Sequence, residues 1–107
     1  MKYQVYIIAD AEKDIFGIYK YVAINGSFQK AELLLRNIEK RISDLSELAN
    51  RGHIPPELER VGVYEYREIY FKPYRIIYQI VESDVYIHCV LDSRRDLEDL
   101  LQERLLR

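Results

Sequence analysis

Residues 64–95 decide the fold of this chain: they read YEYREIYF (64–71), KP (72–73), YRIIYQIV (74–81), ESD (82–84), VYIHCVL (85–91) and DSRR (92–95). Three runs that are rich in β-branched and aromatic residues alternate here with short polar breaks. This alternation is typical of three strands that are joined by tight turns. The stretch therefore predicts an antiparallel meander at the centre of the protein.

The second hairpin of this meander can be aligned residue by residue. A two-residue loop at Ser83-Asp84 pairs Gln79 with His88 and Arg75 with Asp92. Because side chains alternate across a strand, this register predicts two faces. The predicted core face is almost wholly apolar: Tyr74, Ile76, Tyr78, Ile80, Val85, Ile87, Cys89 and Leu91. The predicted outer face is half polar: Arg75, Ile77, Gln79, Val81, Tyr86, His88, Val90 and Asp92. We look for function on the outer face, which has an arginine at its centre.

The first hairpin has two registers that the residues alone do not separate. A two-residue loop at Lys72-Pro73 places Glu68 beside Arg75, whereas a three-residue loop that includes Phe71 places Arg67 there. Since neighbouring residues on a strand point to opposite sides, only one of Arg67 and Glu68 can share the face of Arg75.

The first half of the chain predicts a strand and a helix hairpin. Residues 2–8 have the apolar composition of a strand. A helix is expected to begin at Asp10 and to stop at Asn25-Gly26, since both residues tolerate the left-handed end of a helix. Ser27 is then expected to cap a longer helix, whose apolar stripe continues to the neighbourhood of Asn50.

The segments on either side of the meander complete the prediction. Residues 53–62 read as a loop with at most one helical turn, and Ser93-x-x-Asp96 fits the capping box of a final helix. The predicted order is β-α-α-β-β-β-α in a single α+β domain of residues 1–107, an antiparallel sheet with the helix hairpin packed on one face. The Arg75 face is then left outside, covered at most in part by the C-terminal helix.

Composition limits the classes of function. The chain has 107 residues, a net charge of −2 and one cysteine, Cys89, which we expect to be a buried hydrophobe rather than a reactive thiol. No charged-then-apolar leader opens the chain and no apolar run could span a bilayer, so we expect a cytoplasmic protein with no membrane partner. Two distant histidines and one cysteine do not make a metal site, and no glycine-rich phosphate loop is present, so no cofactor is predicted.

The order of elements and three motifs resemble the RelE/ParE superfamily of toxins from type II toxin–antitoxin systems. The matching residues are Tyr66-Arg67-Glu68-Ile69, Tyr74-Arg75-Ile76-Ile77-Tyr78-Gln79-Ile80 and Ser93-Arg94-Arg95-Asp96. The resemblance covers essentially the whole chain. It implies a growth inhibitor of the kind associated with plasmid stabilisation, held inactive in a hetero-oligomer by a cognate antitoxin whose extended segment wraps the toxin.

The superfamily divides by target. RelE-like members are ribosome-dependent endoribonucleases that cut messenger RNA, whereas ParE-like members bind and inhibit DNA gyrase. A member that still binds its antitoxin but has lost toxicity is a third interpretation of the same resemblance.

Under the RelE-like interpretation, the resemblance assigns catalytic residues. Cleavage of RNA by its 2′-hydroxyl needs a base, an acid and positive charge on the phosphate. By matching motifs, Arg75 and Arg94 occupy phosphate-clamping positions, and Arg67 is one of the basic residues of the sheet. For the first hairpin, the resemblance favours the three-residue loop, which places Arg67 beside Arg75. His88 is a further candidate acid or base, although a hydrogen bond to Gln79 is the simpler role for a histidine on a strand.

Several departures from the RelE pattern favour the ParE-like interpretation. Ile69 stands where the second sheet lysine of the RelE type is found, and no Tyr or His follows Arg95. Asp92, predicted opposite Arg75, would neutralise the charge that a phosphate needs, and a net negative chain is poorly suited to dock on ribosomal RNA. We therefore expect a toxin that acts by binding gyrase, and expect Arg75→Ala to weaken toxicity while preserving the fold.

Overall fold

The computed structural model describes residues 2–95 and 97–106. Its elements are, in chain order, β1 (Gln4–Ile7), α1 (Ala9–Asn25), α2 (Phe28–Asp44), α3 (Pro56–Glu59), β2 (Tyr66–Phe71), β3 (Tyr74–Val81), β4 (Asp84–Asp92) and α4 (Glu98–Leu105). The α+β class and the predicted order are confirmed. None of the helices among the described residues is long and apolar enough to cross a membrane.

The four strands form one sheet in the order β1-β4-β3-β2. The meander is antiparallel as predicted, but β1 lies parallel to β4, with Tyr6 opposite Tyr86. An entirely antiparallel sheet was therefore the wrong expectation for β1. The helix hairpin between β1 and the meander is a crossover connection of the kind that parallel neighbours need.

The predicted register of the second hairpin is wrong. The turn is Glu82-Ser83, with Val81 opposite Asp84, and Glu82 has a φ of 56°. The register then shifts between Ile77 and Tyr78, where His88 is the extra residue of a bulge. A bulge reverses the alternation of side chains beyond it. Cys89 and Leu91 therefore belong to the face that was predicted to be outside.

Both faces of the sheet are buried. The first face packs on the helix hairpin, and its core includes Ile38, Ile42, Leu45, Ile69, Tyr74, Ile76, Tyr78, Val85, Ile87 and Val90. The second face, which carries Arg75, packs on α3 and α4 around Leu58, Tyr66, Ile77, Cys89, Leu91, Leu97 and Leu101. The expectation of an open Arg75 face is therefore wrong, because Leu58 and the apolar stripe of α4 have no other surface on which to be buried.

The predicted start of the long helix is confirmed and its end is not. Ser27 Oγ accepts a hydrogen bond from the Lys30 amide at 3.0 Å, as an N-cap does. The helix ends at Asp44, because the Leu45 and Ser46 amides bond three residues back, at 3.1 Å each, and tighten the chain into turns. The apolar stripe continues into these turns, which is why it extended the prediction.

The final helix begins later than its capping motif indicated. α4 starts at Glu98, and Ser93 lies in a turn where its hydroxyl donates to the Pro73 carbonyl oxygen at 2.6 Å. Ser93 is therefore not the N-cap of this helix. The other half of the predicted capping box, Asp96, lies outside the described residues.

Candidate functional site

Arg75, the residue at the centre of the sequence-based site, is buried in a network of carboxylates on the second face. Its Nη1 and Nη2 atoms donate to the two carboxylate oxygens of Glu57 at 2.6 and 2.8 Å. Its Nε donates to Glu68 Oε1 at 2.6 Å. Only 6% of the arginine is exposed. The hydrogen bonds to Glu57 raise the pKa of Arg75, and burial opposes them without reversing the effect.

Glu68 is the fully buried member of this network. Besides Arg75, its carboxylate accepts a hydrogen bond from the Tyr70 hydroxyl at 3.2 Å, and His53 Nε2 lies 2.9 Å from Oε2. Glu68 shares the face of Arg75 because the first hairpin has the two-residue Lys72-Pro73 turn, with Tyr70 opposite Arg75. The three-residue loop that the family resemblance favoured is therefore wrong. A carboxylate without exposure needs such partners, since an isolated buried charge is very costly.

The network fastens residues 45–65, which we call the strap, to the sheet. This segment leaves the first core, passes along the outer edge of β2 and then covers part of the second face. Glu57 stands on α3 within the strap, and His53 exchanges backbone hydrogen bonds with Glu68 at 2.7 and 3.1 Å. Arg67 Nη1 also donates to the strap, to the Gly52 carbonyl oxygen at 2.6 Å. The buried charges therefore have a structural role that joins two parts of the chain distant in sequence.

Acid should weaken this attachment. The hydrogen bond from Arg75 lowers the pKa of Glu57 below its usual value of 4.5, despite partial burial that acts in the opposite direction. A carboxyl group whose pKa is depressed by folding contributes stability above its unfolded pKa and loses it as the pH falls through the folded value. We expect the pH dependence of urea unfolding below pH 4.5 to be shallower in Glu57→Gln than in the wild type.

Glu59→Gln is the matched control for this prediction, because Glu59 lies exposed on the same short helix. Its unfolding should keep the wild-type dependence on pH. Parallel curves for the wild type and Glu57→Gln would contradict the assigned contribution of Glu57.

Arg94 lies apart from Arg75, beyond the end of β4 and toward the first face. Its guanidinium donates twice to Asp92, at 2.9 and 2.6 Å, and it lines a groove with Tyr21 and Tyr74. The hydrogen bond from Arg94 lowers the pKa of Asp92 to about 2. The expected pairing of Asp92 with Arg75 is therefore wrong: Tyr74 is opposite Asp92, and Arg94 neutralises it.

His88 and Cys89 have the modest roles that the sequence indicated. His88 Nε2 lies 3.3 Å from Gln79 Oε1, and its ring meets Tyr66 edge-on at 5.4 Å. Burial, with a smaller effect of Arg104, lowers the pKa of His88 and favours the neutral imidazole. Cys89 is fully buried, and burial raises the pKa of its thiol to about 12, so the residue is an inert hydrophobe as predicted.

Comparison with known proteins identifies the family of this chain. The sequence model of the ParE toxin of the type II toxin–antitoxin system parDE matches residues 5–97. The chain belongs to the ParE toxin family. A search of curated proteins gives no significant match.

Two solved structures support the ParE fold. The chromosomal ParDE toxin–antitoxin system from P. aeruginosa matches with a TM-score of 0.71 and 17% identity over 85% of this chain and 96% of that chain. The RelBE2 toxin–antitoxin complex from Mycobacterium tuberculosis matches with a TM-score of 0.64 and 19% identity over 86% and 99%. At these identities the similarity concerns the fold, which both branches of the superfamily share.

In this ParE-family chain the three predicted catalytic arginines do not converge. Arg67 and Arg75 point to opposite faces of the sheet, and Arg94 lies in a groove beside α1. A phosphate at Arg75 would have to displace Glu57 and compete with Glu68, although Arg75 has the planar fork that suits such a ligand. No group of three or more potential metal ligands exists among the described residues. The guanidinium of Arg75 is already bound by carboxylates of the chain itself.

This ParE-family chain also contains an ion pair that sequence reasoning missed. Asp14 of α1 accepts two hydrogen bonds from Arg104 of α4, at 3.1 and 3.0 Å, and one from the Val90 amide at 3.0 Å. Arg104 further donates to the His88 carbonyl oxygen at 3.0 Å. These bonds join both ends of the chain to the bulged strand. The residues are 90 positions apart, and no local pattern signals such a pair.

Proposed function

We propose that this toxin inhibits growth by binding a target protein, and that the target is DNA gyrase. The observation that carries the proposal is the state of Arg75: two carboxylates occupy all three of its donor nitrogens, inside the fold. A nuclease of the RelE type would need that guanidinium to be free for the scissile phosphate. The net charge of −2 supports the same choice, because RNA binding draws mainly on basic charge.

A cognate antitoxin neutralises the toxin in this proposal, and both proteins act in the cytoplasm as a plasmid-stabilisation module. The exposed side of the helix hairpin supports a protein partner. Phe16, Ile24 and Phe28 are 61%, 76% and 64% exposed, and Leu33 is 57% exposed. Large apolar side chains that are left exposed in this way are available to a protein–protein interface.

The sheet also has an edge that could accept a strand of the antitoxin. The Gln4 and Ile8 amides donate to the Ser83 and Ile87 carbonyl oxygens of the neighbouring strand, at 3.1 and 3.2 Å. By alternation, the backbone groups of Val5 and Ile7 face away from β4. The two edges of the meander are already occupied, because the strap bonds to the outer edge of β2 and β1 covers the edge of β4. The outer edge of β1 is therefore the better candidate.

A supercoiling assay tests the proposed target. We expect the purified toxin to inhibit DNA supercoiling by gyrase in a dose-dependent way, and an excess of antitoxin to restore it. The same toxin added to translating ribosomes should leave the messenger RNA intact when its ends are mapped by primer extension. Arg94→Ala should not change the result on RNA.

Two outcomes would overturn the proposal. Unaffected gyrase together with new messenger RNA ends would support the RelE-like alternative, with Arg67, Arg75, Arg94 and His88 as its candidate catalytic residues. Normal growth on induction, with intact gyrase activity and intact RNA, would indicate a member that has lost toxicity.

A further inference from the structure

The groove between α1 and the end of β4, which Arg94 lines, is separate from the exposed hairpin surface and the strand edge discussed above. It encloses about 520 Å³. Its walls include Lys13, Gly17, Tyr21, Tyr74, Arg94 and Arg95. The groove is open, and its lining combines aromatic rings with an excess of cations.

Gly17 lies in the middle of α1, where no packing contact with the described residues 2–95 and 97–106 requires a glycine. A glycine in a helix interior is destabilising relative to alanine. A Cβ added at this position would meet no other atom within 4 Å, so no neighbour in the described chain excludes a side chain. The missing side chain instead deepens the groove beside Tyr21, which is 66% exposed. A close approach of another backbone would account for this residue.

The charges of the groove favour an acidic ligand. Within residues 2–95 and 97–106, neither the Lys13 ammonium nor the Arg95 guanidinium has an ion-pair partner. Arg94 is 69% exposed at its side chain and holds Asp92, and Asp14 is neutralised by Arg104. Two cations therefore remain for a partner.

The same lining disfavours a nucleic acid. Arg94 and Arg104 are already paired with Asp92 and Asp14, so among the described residues of the lining Lys13 and Arg95 alone are too few cations for the successive phosphates of a polynucleotide. Ile18 and Val90 add apolar side chains to the lining of the groove. A peptide in which carboxylates flank an apolar side chain complements this pattern better, since it needs only two separate cations and an apolar surface between them.

We propose that this groove binds a segment of the antitoxin in which acidic side chains flank an apolar one, close against Gly17. The inference rests on the proposed neutralisation by an antitoxin. It specifies where on the toxin the antitoxin binds and which kinds of side chain the bound segment carries. Lys13 and Arg95 bind its carboxylates, and the surface beside Gly17 and Tyr21 receives its backbone and apolar residue.

The test measures the affinity of the cognate antitoxin for the toxin by titration calorimetry at two salt concentrations. Lys13→Glu combined with Arg95→Glu should weaken binding about tenfold or more and reduce its dependence on salt. Arg51→Glu, an exposed charge reversal in the strap, away from both the groove and the helix hairpin, is the matched control and should bind as the wild type does.

Gly17→Ala separates a binding role from a structural one. The melting temperature of the free toxin should rise by about 3–6 °C, because alanine is the better helix former. Affinity for the antitoxin should nevertheless fall, and Gly17→Leu should lower it further. A purely structural role for this glycine could not produce opposite changes in the two measurements.

The outcomes distinguish the groove from the proposed function as a whole. Tight binding of the antitoxin to the wild type and to all groove variants alike would overturn the groove and leave neutralisation by an antitoxin intact. An antitoxin that does not bind the wild type would overturn both. A fluorescent single-stranded RNA that binds the wild type and is released by the Lys13/Arg95 double reversal would replace the peptide with a nucleic acid.

Discussion

Arg75→Ala is expected to lower the free energy of unfolding by about 3–5 kcal/mol, the cost of leaving a buried charge without its partner. Glu68 is 0% exposed, and Arg75 is the cation that compensates it inside the fold. Glu57 loses its bidentate partner at the same time, so the strap loses its main attachment to β3. A loss of this size is a large share of the roughly 5–15 kcal/mol that stabilises an ordinary domain. Urea unfolding followed by circular dichroism measures it.

Two further variants identify the cause of that loss. Arg75→Met combined with Glu68→Gln should recover part of the stability, because no uncompensated carboxylate is then buried. Arg94→Ala should change the unfolding free energy little, since its pair with Asp92 is exposed to water and screened. Unfolding of Arg75→Ala at the wild-type urea concentration would show that the buried network contributes nothing to stability.

This expectation reverses the one drawn from the sequence, in which Arg75→Ala kept the fold and lost toxicity. Loss of toxicity in an Arg75 variant therefore carries no information about catalysis until its folding has been measured. A toxin that has unfolded also fails to inhibit growth. Arg94, which is exposed, is the arginine at which a toxicity assay can be interpreted directly.

The sequence predicts the fold well where its periodicity is long. The apolar alternation of β3 correctly placed Tyr74, Ile76 and Tyr78 in one core, and the spacing of apolar residues identified both hairpin helices. The assignment of side chains to the two faces failed on β4 at a single residue, His88. One bulged histidine exchanges the faces of the residues after it, and an alternating pattern looks the same on either side of a bulge.

The candidate site was harder to predict because its charges come from distant segments. Arg75 pairs with Glu57, which lies 18 residues away in a segment expected as a loop. A lone Glu in a predicted loop is expected to be solvated. Glu57 reaches the sheet because its neighbour Leu58 is buried in the second core. One contact could have been predicted from the sequence. The two-residue Lys72-Pro73 turn, one of the two alternatives that the residues left open, places Glu68 beside Arg75.

Tyr78→Ala should destabilise the fold by about 3–5 kcal/mol, as truncation of a large buried aromatic side chain does. Tyr78 is 0% exposed at the centre of the first core, where its ring packs among the aliphatic residues of the sheet and of α2. Its hydroxyl reaches through to the strap, donating to the Ala49 carbonyl oxygen at 2.7 Å and accepting from the Gly52 amide at 3.2 Å. Alanine removes the ring and both hydrogen bonds, and the surrounding helices cannot close the space completely.

Tyr78→Phe divides this loss into its two parts. Phenylalanine keeps the ring but leaves the Ala49 carbonyl and the Gly52 amide without their partner, at a cost of about 1–3 kcal/mol. Gly52 packs directly against the Tyr78 hydroxyl, since a Cβ added at Gly52 would lie 2.5 Å from the hydroxyl oxygen. We therefore expect hydrogen exchange to quicken at the amides of the strap in Tyr78→Phe and to stay slow in β3. Equal stability of the phenylalanine variant and the wild type, with an unchanged exchange rate at Gly52, would show that the core anchors the strap without this hydroxyl.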